Sequence, residues 1–320
     1  MSRFWCFVPV FILLSSITIV AQEKKVEKAA QQLAALREKV VIETDVEYAK
    51  AGDVSLKLDV YKPIATNPQP RPCLVWIHGG GWQNGDKSSG AARIGRFVAS
   101  GDYVGVSVGY RLTDVASWPA QIHDCKAAIR YIRSNAAKLG IDPNKIGVWG
   151  ASAGGHLVSM LGTTGDVKEM EGELGTTNVS SRVHCVVDFC GPADFPRLGP
   201  NAPKVNEPGQ SVYKLFNGPM KDRMEIARQA SPVTYVSKDD PSFLIVQGTA
   251  DPLVPLDQSV SFHAAQKDVG MNSTLIKIEG GGHGIHGSEI DARVASFFER
   301  ELLGKNVAVS AETIQQGEVK

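Results

Sequence analysis

The sequence has no excess of charge of either sign and contains little cysteine. Its 320 residues include 34 Lys and Arg against 34 Asp and Glu, so the formal net charge is zero. Without a basic excess nothing indicates nucleic-acid binding, and without an acidic block there is no solvating tail. The five cysteines and seven histidines show no zinc-site spacing; the chemistry inferred below needs no metal and no cofactor. The 43% hydrophobic content and 32 glycines suit one large α/β domain.

The cysteines lie in apolar runs that are typical of a protein core. Cys73, Cys185 and Cys190 fall in strand-like runs and Cys125 in a helical one. Because Cys185 and Cys190 are five residues apart, they face opposite sides of a regular strand. Export would permit disulfides, but this placement predicts free, buried thiols.

Long apolar runs are scarce as well, and the one that could approach a membrane span stands at the N-terminus. It extends from Phe4 to Val20, follows Arg3 and ends at Ala21. A positive start, an apolar centre and a small exit residue predict a secretory signal peptide over residues 1–21, and hence an exported protein. The alternative is an uncleaved anchor, for which about 17 apolar residues are at the lower limit. After cleavage we expect no stable membrane insertion.

The rest of the chain divides into three parts. The sequence predicts a short amphipathic lead-in helix over residues 22–38, a single domain over 39–304, and a mobile tail over 305–320, which has no apolar pattern. Residues 196–219 are rich in Pro, Gly and Asn and interrupt the rhythm of the domain. This insertion is either a lid over the C-terminal edge of the sheet or a plain surface loop.

Two alternating apolar stretches open the domain, and strands then alternate with helices. This order predicts a mainly parallel α/β sheet with helices on both faces and an antiparallel N-terminal hairpin. The predicted strands are 40–48, 54–61, 73–77, 103–108, the run before Ser152, 183–189, 242–247 and 274–278. The predicted helices are 88–100, 118–139, the segment after Ser152, 222–230, 257–269 and 287–303.

The stretch Gly150-Ala151-Ser152-Ala153-Gly154 carries the strongest chemical signal. An apolar run leads into it, and a helical pattern follows in Leu157, Met160 and Leu161. Strand, sharp turn and helix around Gly-x-Ser-x-Gly predict a nucleophile elbow. The two glycines leave room for Ser152 in a strained conformation, with its hydroxyl raised above the sheet.

A nucleophilic serine needs a base, and the base needs an acid that orients it. Asp251 follows one later strand, and His283 lies in a glycine-rich loop after the last strand. We predict that His283 takes the Ser152 proton and that Asp251 fixes the imidazole tautomer. The weaker candidates are His286 for the base and Asp188 and Asp194 for the acid, whereas Asp257 suits the N-cap of a helix.

The segment His78-Gly79-Gly80-Gly81-Trp82 follows a buried strand and matches an oxyanion motif. The backbone N–H of Gly79 or Gly80, together with that of Ala153, is predicted to bind the developing negative charge. His78 more simply braces this loop. Trp82 either walls the substrate site or packs in the core.

Together, these segments resemble the α/β-hydrolase esterases, and most closely the bacterial feruloyl/acetyl-esterase type related to the hormone-sensitive lipase group. The resemblance covers residues 40–303. It implies the α/β-hydrolase fold, the triad Ser152, Asp251 and His283, and an oxyanion hole from Gly79, Gly80 and Ala153. The hormone-sensitive lipase group commonly has Asp before its elbow serine and a larger N-terminal cap. Here Ala151 stands before the serine and no such cap is evident, so lipid specificity does not transfer.

The sequence therefore predicts an exported serine carboxylesterase that acts through an acyl-enzyme. Export and the resemblance favour acetyl or feruloyl esters of plant polysaccharide, such as acetylxylan, and Trp82 is the predicted substrate-binding side chain. One alternative is a peptidase of the prolyl-oligopeptidase type, against which the lack of a propeller domain in these residues argues. The other is a non-catalytic binding module, although all three triad candidates are present. The oligomeric state is left open.

Overall fold

A computed structural model describes residues 27, 30, 31, 33–198 and 205–315. The predicted signal peptide, residues 1–21, lies outside the described residues. Residues 33–37 are helical and are called α1; they lie within the range 22–38 of the predicted lead-in helix. Among the described residues, no helix has the length and apolar character needed to cross a bilayer.

Nine strands form one sheet in the order β1-β2-β4-β3-β5-β6-β7-β8-β9. The first two strands pair antiparallel, β2 pairs antiparallel with β4, and all later pairs are parallel. This is the predicted hairpin followed by a parallel sheet. The strands are β1 (Val40–Ala51), β2 (Val54–Pro63), β3 (Arg71–Ile77), β4 (Val104–Val108), β5 (Ile141–Ala151), β6 (Cys185–Phe189), β7 (Ser242–Gly248), β8 (Ser273–Glu279) and β9 (Ile314–Gln315).

Helices cover both faces of the sheet, because the central strands are apolar on both sides. In β3, Val75 and Ile77 pack into one core cluster while Leu74 and Trp76 pack into the other. Helices α3, α5 and α9 contribute to the first cluster, and α2 and α10 contribute to the second. The helices are α2 (Gly90–Ala99), α3 (Ala120–Ser134), α4 (Ala136–Leu139), α5 (Ala153–Thr163), α6 (Phe195–Leu198), α7 (Ser211–Leu215), α8 (Met224–Gln229), α9 (Leu256–Asp268) and α10 (Ser288–Leu303).

The predicted single helix over 118–139 is two helices, α3 and α4, with a break at Asn135. The Asn135 side chain donates to the carbonyl oxygen of Tyr131 at 2.9 Å, and its backbone lies outside the helical region. Asparagine competes in this way with the regular helical ladder. Gly140, at φ 71°, then ends α4 in a left-handed conformation, as the sequence predicts.

The tail prediction is wrong at residues 314 and 315. These residues form β9, which pairs in parallel with Ile278 and Glu279 of β8, and Ile314 is only 1% exposed. A two-residue strand has no periodicity that a sequence could reveal. The insertion is described at residues 196–198 and 205–219, where Leu198 and Val212 on short helices and Val205 in a turn are buried against the core.

Candidate active site

Ser152 sits at the sharp turn between β5 and α5, at φ 56° and ψ −120°. This strained, left-handed conformation is fixed partly by its backbone N–H, which donates to the carbonyl oxygen of Phe189 at 2.7 Å. Gly154 is required because a Cβ there would overlap the carbonyl oxygen of Ile77 in the neighbouring strand. The turn therefore has the geometry of a nucleophile elbow.

The structure brings Ser152, His283 and Asp251 together. The Nε2 atom of His283 lies 2.8 Å from the Ser152 hydroxyl oxygen, and its Nδ1 lies 2.7 Å from a carboxylate oxygen of Asp251. Asp251 follows β7 and His283 follows β8, so the carboxyl ends of adjacent parallel strands bring the two groups to one edge. An ionised carboxylate only accepts, so Nδ1 carries the proton and Nε2 faces the serine hydroxyl as an acceptor.

The Asp251 carboxylate is buried and fully hydrogen-bonded. One oxygen accepts the backbone N–H groups of Leu253 at 2.8 Å and Val254 at 3.0 Å, while the other accepts His283 and the Gln247 amide at 3.0 Å. Burial by itself would raise the pKa of Asp251, but the bonds from His283 and the two backbone groups outweigh it and lower that pKa below its usual value. The carboxylate therefore stays charged beside the imidazole.

Gln247 is a site residue that the sequence reasoning missed. Its amide nitrogen bonds Asp251 and also the carbonyl oxygen of Val254 at 3.1 Å, and its amide oxygen accepts the Ser259 hydroxyl at 2.9 Å. The side chain is fully buried and orients the acid. The available signal was a polar residue at the end of the apolar run 243–246, four positions before the acid.

The competing candidates lie elsewhere. His286 is exposed, and Asp188 bonds a helix hydroxyl rather than an imidazole. Asp194 accepts the backbone N–H of Arg197 at 3.3 Å. Asp257 is in the first turn of α9, whose N-cap is Pro255, so the N-cap prediction for Asp257 is wrong by two residues.

A thiol lies beside the imidazole and the carboxylate. The Cys190 Sγ donates to the backbone carbonyl of His283 at 3.5 Å, and the ligand atoms of Cys190, Asp251 and His283 all lie within 4.8 Å of one another. Burial, followed by the nearby charge of Asp251, raises the pKa of this thiol well above its usual range. Cys190 therefore stays protonated and does not compete as a nucleophile. All four cysteines in the described residues are buried and unbridged, as predicted.

The oxyanion loop, Gly79–Gly81, lies against the elbow. A Cβ at Gly79 would be 3.4 Å from the Ser152 Cβ. Gly80 adopts φ 113°, and a Cβ there would overlap the carbonyl oxygen of Asn84, whose N–H closes the turn onto the Gly80 carbonyl at 3.0 Å. Only glycine fits this turn.

Three backbone donors at the elbow are available to a ligand. Within the described part of the chain, neither Gly79 nor Gly80 donates its N–H to a protein acceptor. Ala153 is the first residue of α5, and the first N–H groups of a helix have no intrahelical partner. The arrangement is that of an oxyanion hole next to Ser152.

His78 supports the loop rather than facing a ligand. Its ring stacks on Tyr110 with centroids 4.4 Å apart, and its Nδ1 donates to the carbonyl oxygen of Gly79 at 2.8 Å. Burial lowers the pKa of His78, so the ring stays neutral. These contacts agree with the bracing role that the sequence indicates.

A cavity of about 210 Å³ opens onto Ser152 and His283. The insertion supplies much of its wall, so it covers the site rather than forming a remote surface loop. Trp82 is 3% exposed and does both things that the sequence allows, because it packs in the core and also borders this cavity. The other lining residues are Gly81, Pro192, Leu198, Val205, Gln210, Ser211, Val212, Leu253 and Val254.

A parallel sheet with a nucleophile elbow, followed by an acid and a histidine after later strands, defines an α/β-hydrolase with a Ser-His-Asp triad. Comparison with known proteins narrows this class. Residues 58–266 match the BD-FAE family model, so the chain belongs to the BD-FAE family. The resemblance drawn from the sequence motifs is thereby confirmed.

Esterases are among the similar proteins with assigned functions. The Mycobacterium tuberculosis esterase LipC is 32% identical over 235 residues, which cover 72% of this chain and 57% of LipC. The esterase LipQ of the same organism is 30% identical over 71% of this chain and 53% of its own length. The chain thus spans about half the length of the curated relatives it matches.

The similar solved structures include a truncated carbohydrate esterase from gut microbiota, 34% identical with a TM-score of 0.76, which covers 83% of this chain and 97% of its own. Native esterase 2 of Thermogutta terrifontis is 28% identical with a TM-score of 0.67, and covers 84% of this chain and 95% of its own.

Proposed function

We propose that this protein is an exported serine carboxylesterase that hydrolyses short-chain esters carried on carbohydrate. The observation that carries the proposal is the His283 imidazole, which bridges the Ser152 hydroxyl at 2.8 Å and the Asp251 carboxylate at 2.7 Å. Both distances are within proton-transfer reach. The esterase relatives support the same chemistry.

The proposed reaction has two halves. Ser152 attacks the ester carbonyl while Nε2 of His283 takes its proton, and the N–H groups of Gly79, Gly80 and Ala153 hold the oxyanion. The imidazolium then protonates the departing alkoxide, which leaves the acyl group on Ser152. A water molecule, deprotonated by the same imidazole, then attacks the acyl-enzyme; the bond to Ser152 breaks, the imidazolium returns its proton to the Ser152 oxygen, and the acid is released. Asp251 keeps the proton on Nδ1 throughout.

The size of the cavity supports a small acyl group. Its volume of about 210 Å³ is below the roughly 300–1,000 Å³ of sites that enclose drug-sized ligands. Apolar side chains of Leu198, Val205 and Val212 line it, while Gln210 and Ser211 offer polar groups. Acetyl esters therefore suit this cavity better than feruloyl esters.

A carbohydrate alcohol is supported by two of the similar solved structures. One is described as a carbohydrate esterase, and the other as a bifunctional GH43-CE from Bacteroides eggerthii, at 34% identity and a TM-score of 0.74. The match covers 81% of this chain and 38% of the bifunctional protein. Export, which the N-terminal segment predicts, would bring the enzyme into contact with polysaccharide. Mass spectrometry of the mature N-terminus tests cleavage after Ala21.

Activity is tested with Ser152→Ala on p-nitrophenyl acetate and on acetylated xylan. We expect at least a 1,000-fold loss of kcat, with an unchanged melting temperature and no labelling by a fluorophosphonate probe. Ser55→Ala, on the remote hairpin strand β2, is the matched control. A Ser152→Ala protein that keeps most of its activity would overturn the proposal. Cleavage of proline-containing peptides without ester hydrolysis would instead favour a peptidase, and failure of the wild-type protein to take the probe would favour a binding module.

A further inference from the structure

A buried imidazole that the proposed reaction does not use lies one turn beyond the nucleophile. His156 is in the first turn of α5, and its backbone N–H donates to the carbonyl oxygen of Ser152 at 2.9 Å. Its side chain is completely buried. Burial of a polar ring destabilises the fold unless its nitrogens are hydrogen-bonded. The hydrogen-bond partners therefore indicate the role of the ring.

Both ring nitrogens of His156 are hydrogen-bonded. The indole Nε1–H of Trp82 donates to Nδ1 at 3.2 Å, and Nε2 donates to the carbonyl oxygen of Ala230 at 2.7 Å. Because an indole only donates and a carbonyl only accepts, the ring is neutral with its proton on Nε2. Trp118 and Phe195 enclose it, with ring centroids 5.3 and 5.1 Å away.

Trp82 links this ring to the oxyanion loop. It follows Gly81 directly, and it holds a left-handed backbone at φ 57°, which a bulky residue adopts only when its surroundings fix it. Its carbonyl oxygen accepts the N–H of Thr113 at 2.9 Å. Its indole lies edge-on to the His156 ring at 5.3 Å and borders the cavity above Ser152.

We infer that His156 is a positioning residue that holds the Trp82 indole, and through it the oxyanion loop, in place for attack on the ester. On one side, the His156 ring bonds Trp82, which follows the loop that binds the carbonyl oxygen. On the other side, it bonds Ala230, at the end of α8. The rigid ring spans the two, so the loop is fixed to the end of α8 through the bond from His156 to Ala230. This inference rests on the proposed function, since it assigns a role within the same reaction.

The test uses His156→Phe, which keeps an aromatic ring but removes both hydrogen bonds, with Trp82→Phe and the double variant. In His156→Phe we expect kcat on p-nitrophenyl acetate to fall about tenfold to 100-fold with KM changed by less than about threefold. The affinity for a phenylboronic acid, which mimics the tetrahedral intermediate, falls by the same factor as kcat. The double variant is expected to lose no more than the worse single variant, because the two residues act as a unit.

Ile132→Ala is the stability control, because it empties a fully buried position on α3 remote from the loop. It lowers the melting temperature but leaves kcat and boronate affinity unchanged. The inference is overturned if His156→Phe lowers only the melting temperature, as this control does, or if the two single variants add fully in the double variant. If the wild-type protein hydrolyses no ester, the proposed function itself fails, which is a separate outcome.

Discussion

The Ser159 hydroxyl donates to the Asp188 carboxylate at 2.8 Å inside the core below the nucleophile turn. The other oxygen of Asp188 accepts the backbone N–H of Gly191 at 2.9 Å. Burial raises the pKa of Asp188 from 3.8 to about 6, against the opposing effect of these two bonds. The Asp188 carboxyl group is therefore buried where its charged form is unfavourable.

This burial predicts that Asp188 destabilises the fold as pH rises. The folded protein holds the proton more tightly than the unfolded chain, so the stabilisation is complete below pH 3.8 and is lost as pH rises through about 6. The loss is about 3 kcal/mol. Asp188→Asn has the same shape but no charge, so its free energy of unfolding relative to wild type should increase by up to that amount between pH 4 and 7. Urea unfolding at several pH values measures it. A constant difference would contradict the prediction.

His156 is predicted to act with the opposite sign. Burial lowers its pKa from 6.5 to about 4, so the folded protein keeps the ring neutral while the unfolded chain protonates it. Its stabilisation is present above pH 6.5 and is lost as pH falls toward 4, by about 3 kcal/mol. In His156→Phe the deficit in unfolding free energy should therefore shrink as pH falls through this window. Urea unfolding over the same pH series checks this, and a deficit that grows on acidification would refute it.

Asp251→Asn should lower kcat about 10,000-fold. An amide in place of the carboxylate no longer favours the proton on Nδ1 of His283, so Nε2 is not left free to accept the Ser152 proton. Initial rates on p-nitrophenyl acetate measure the effect. Asp257→Asn, in the first turn of α9, is the matched control and should remain within about twofold of wild type. An Asp251→Asn enzyme with a tenth of the wild-type kcat would be incompatible with the assigned role.

Gly80→Ala should lower kcat roughly 100- to 1,000-fold, because the new Cβ overlaps Asn84 and displaces an oxyanion donor. Gly52→Ala provides a sharp comparison. Gly52 also has a left-handed backbone, at φ 61°, but a Cβ there meets nothing within 4 Å. The Gly52→Ala substitution should lower the free energy of unfolding by about 1 kcal/mol and leave kcat unchanged. Equal losses of kcat in the two variants would show that backbone strain, not the loop position, is responsible.

Val212→Ala should shift the preferred acyl length upward. Val212 is largely buried and lines the cavity beside Ser152, so its truncation makes room for further methylene groups. We expect the ratio of kcat/KM for p-nitrophenyl butyrate over acetate to rise about tenfold. Val260→Ala, in a separate open depression that Asp251 also lines, should leave that ratio as it is. No change in Val212→Ala would mean that the acyl group binds elsewhere.

The features that the sequence predicts best are those whose geometry demands particular residues in a short span. The turn at Ser152 needs glycine at fixed positions on both sides, and the oxyanion loop needs its own glycines, so each leaves a local signature. The parallel sheet then fixes where Asp251 and His283 must lie, because strand order alone brings their loops to one edge.

The features that the sequence does not reveal depend on contacts between distant segments or on local side-chain hydrogen bonds. His156 is recognisable as a positioning group only when its partners, 74 positions away along the chain in each direction, are seen. The partners of Gln247 are only 4 to 12 positions away, but the apolar pattern of the strand does not show that its side chain bonds them. The break at Asn135 reflects a local competition that the apolar pattern of the helix conceals. The packing of Ile314 requires an edge that exists only after the whole sheet has formed.

The position of β9 at the edge of the sheet has a consequence for association between molecules. Without β9, the carboxyl end of β8 would present bare amide and carbonyl groups immediately before the loop that carries His283, and such an unpaired border invites pairing with another molecule. By pairing with Ile278 and Glu279, β9 protects this end of β8, just before the loop that carries His283, from edge-to-edge association with another molecule.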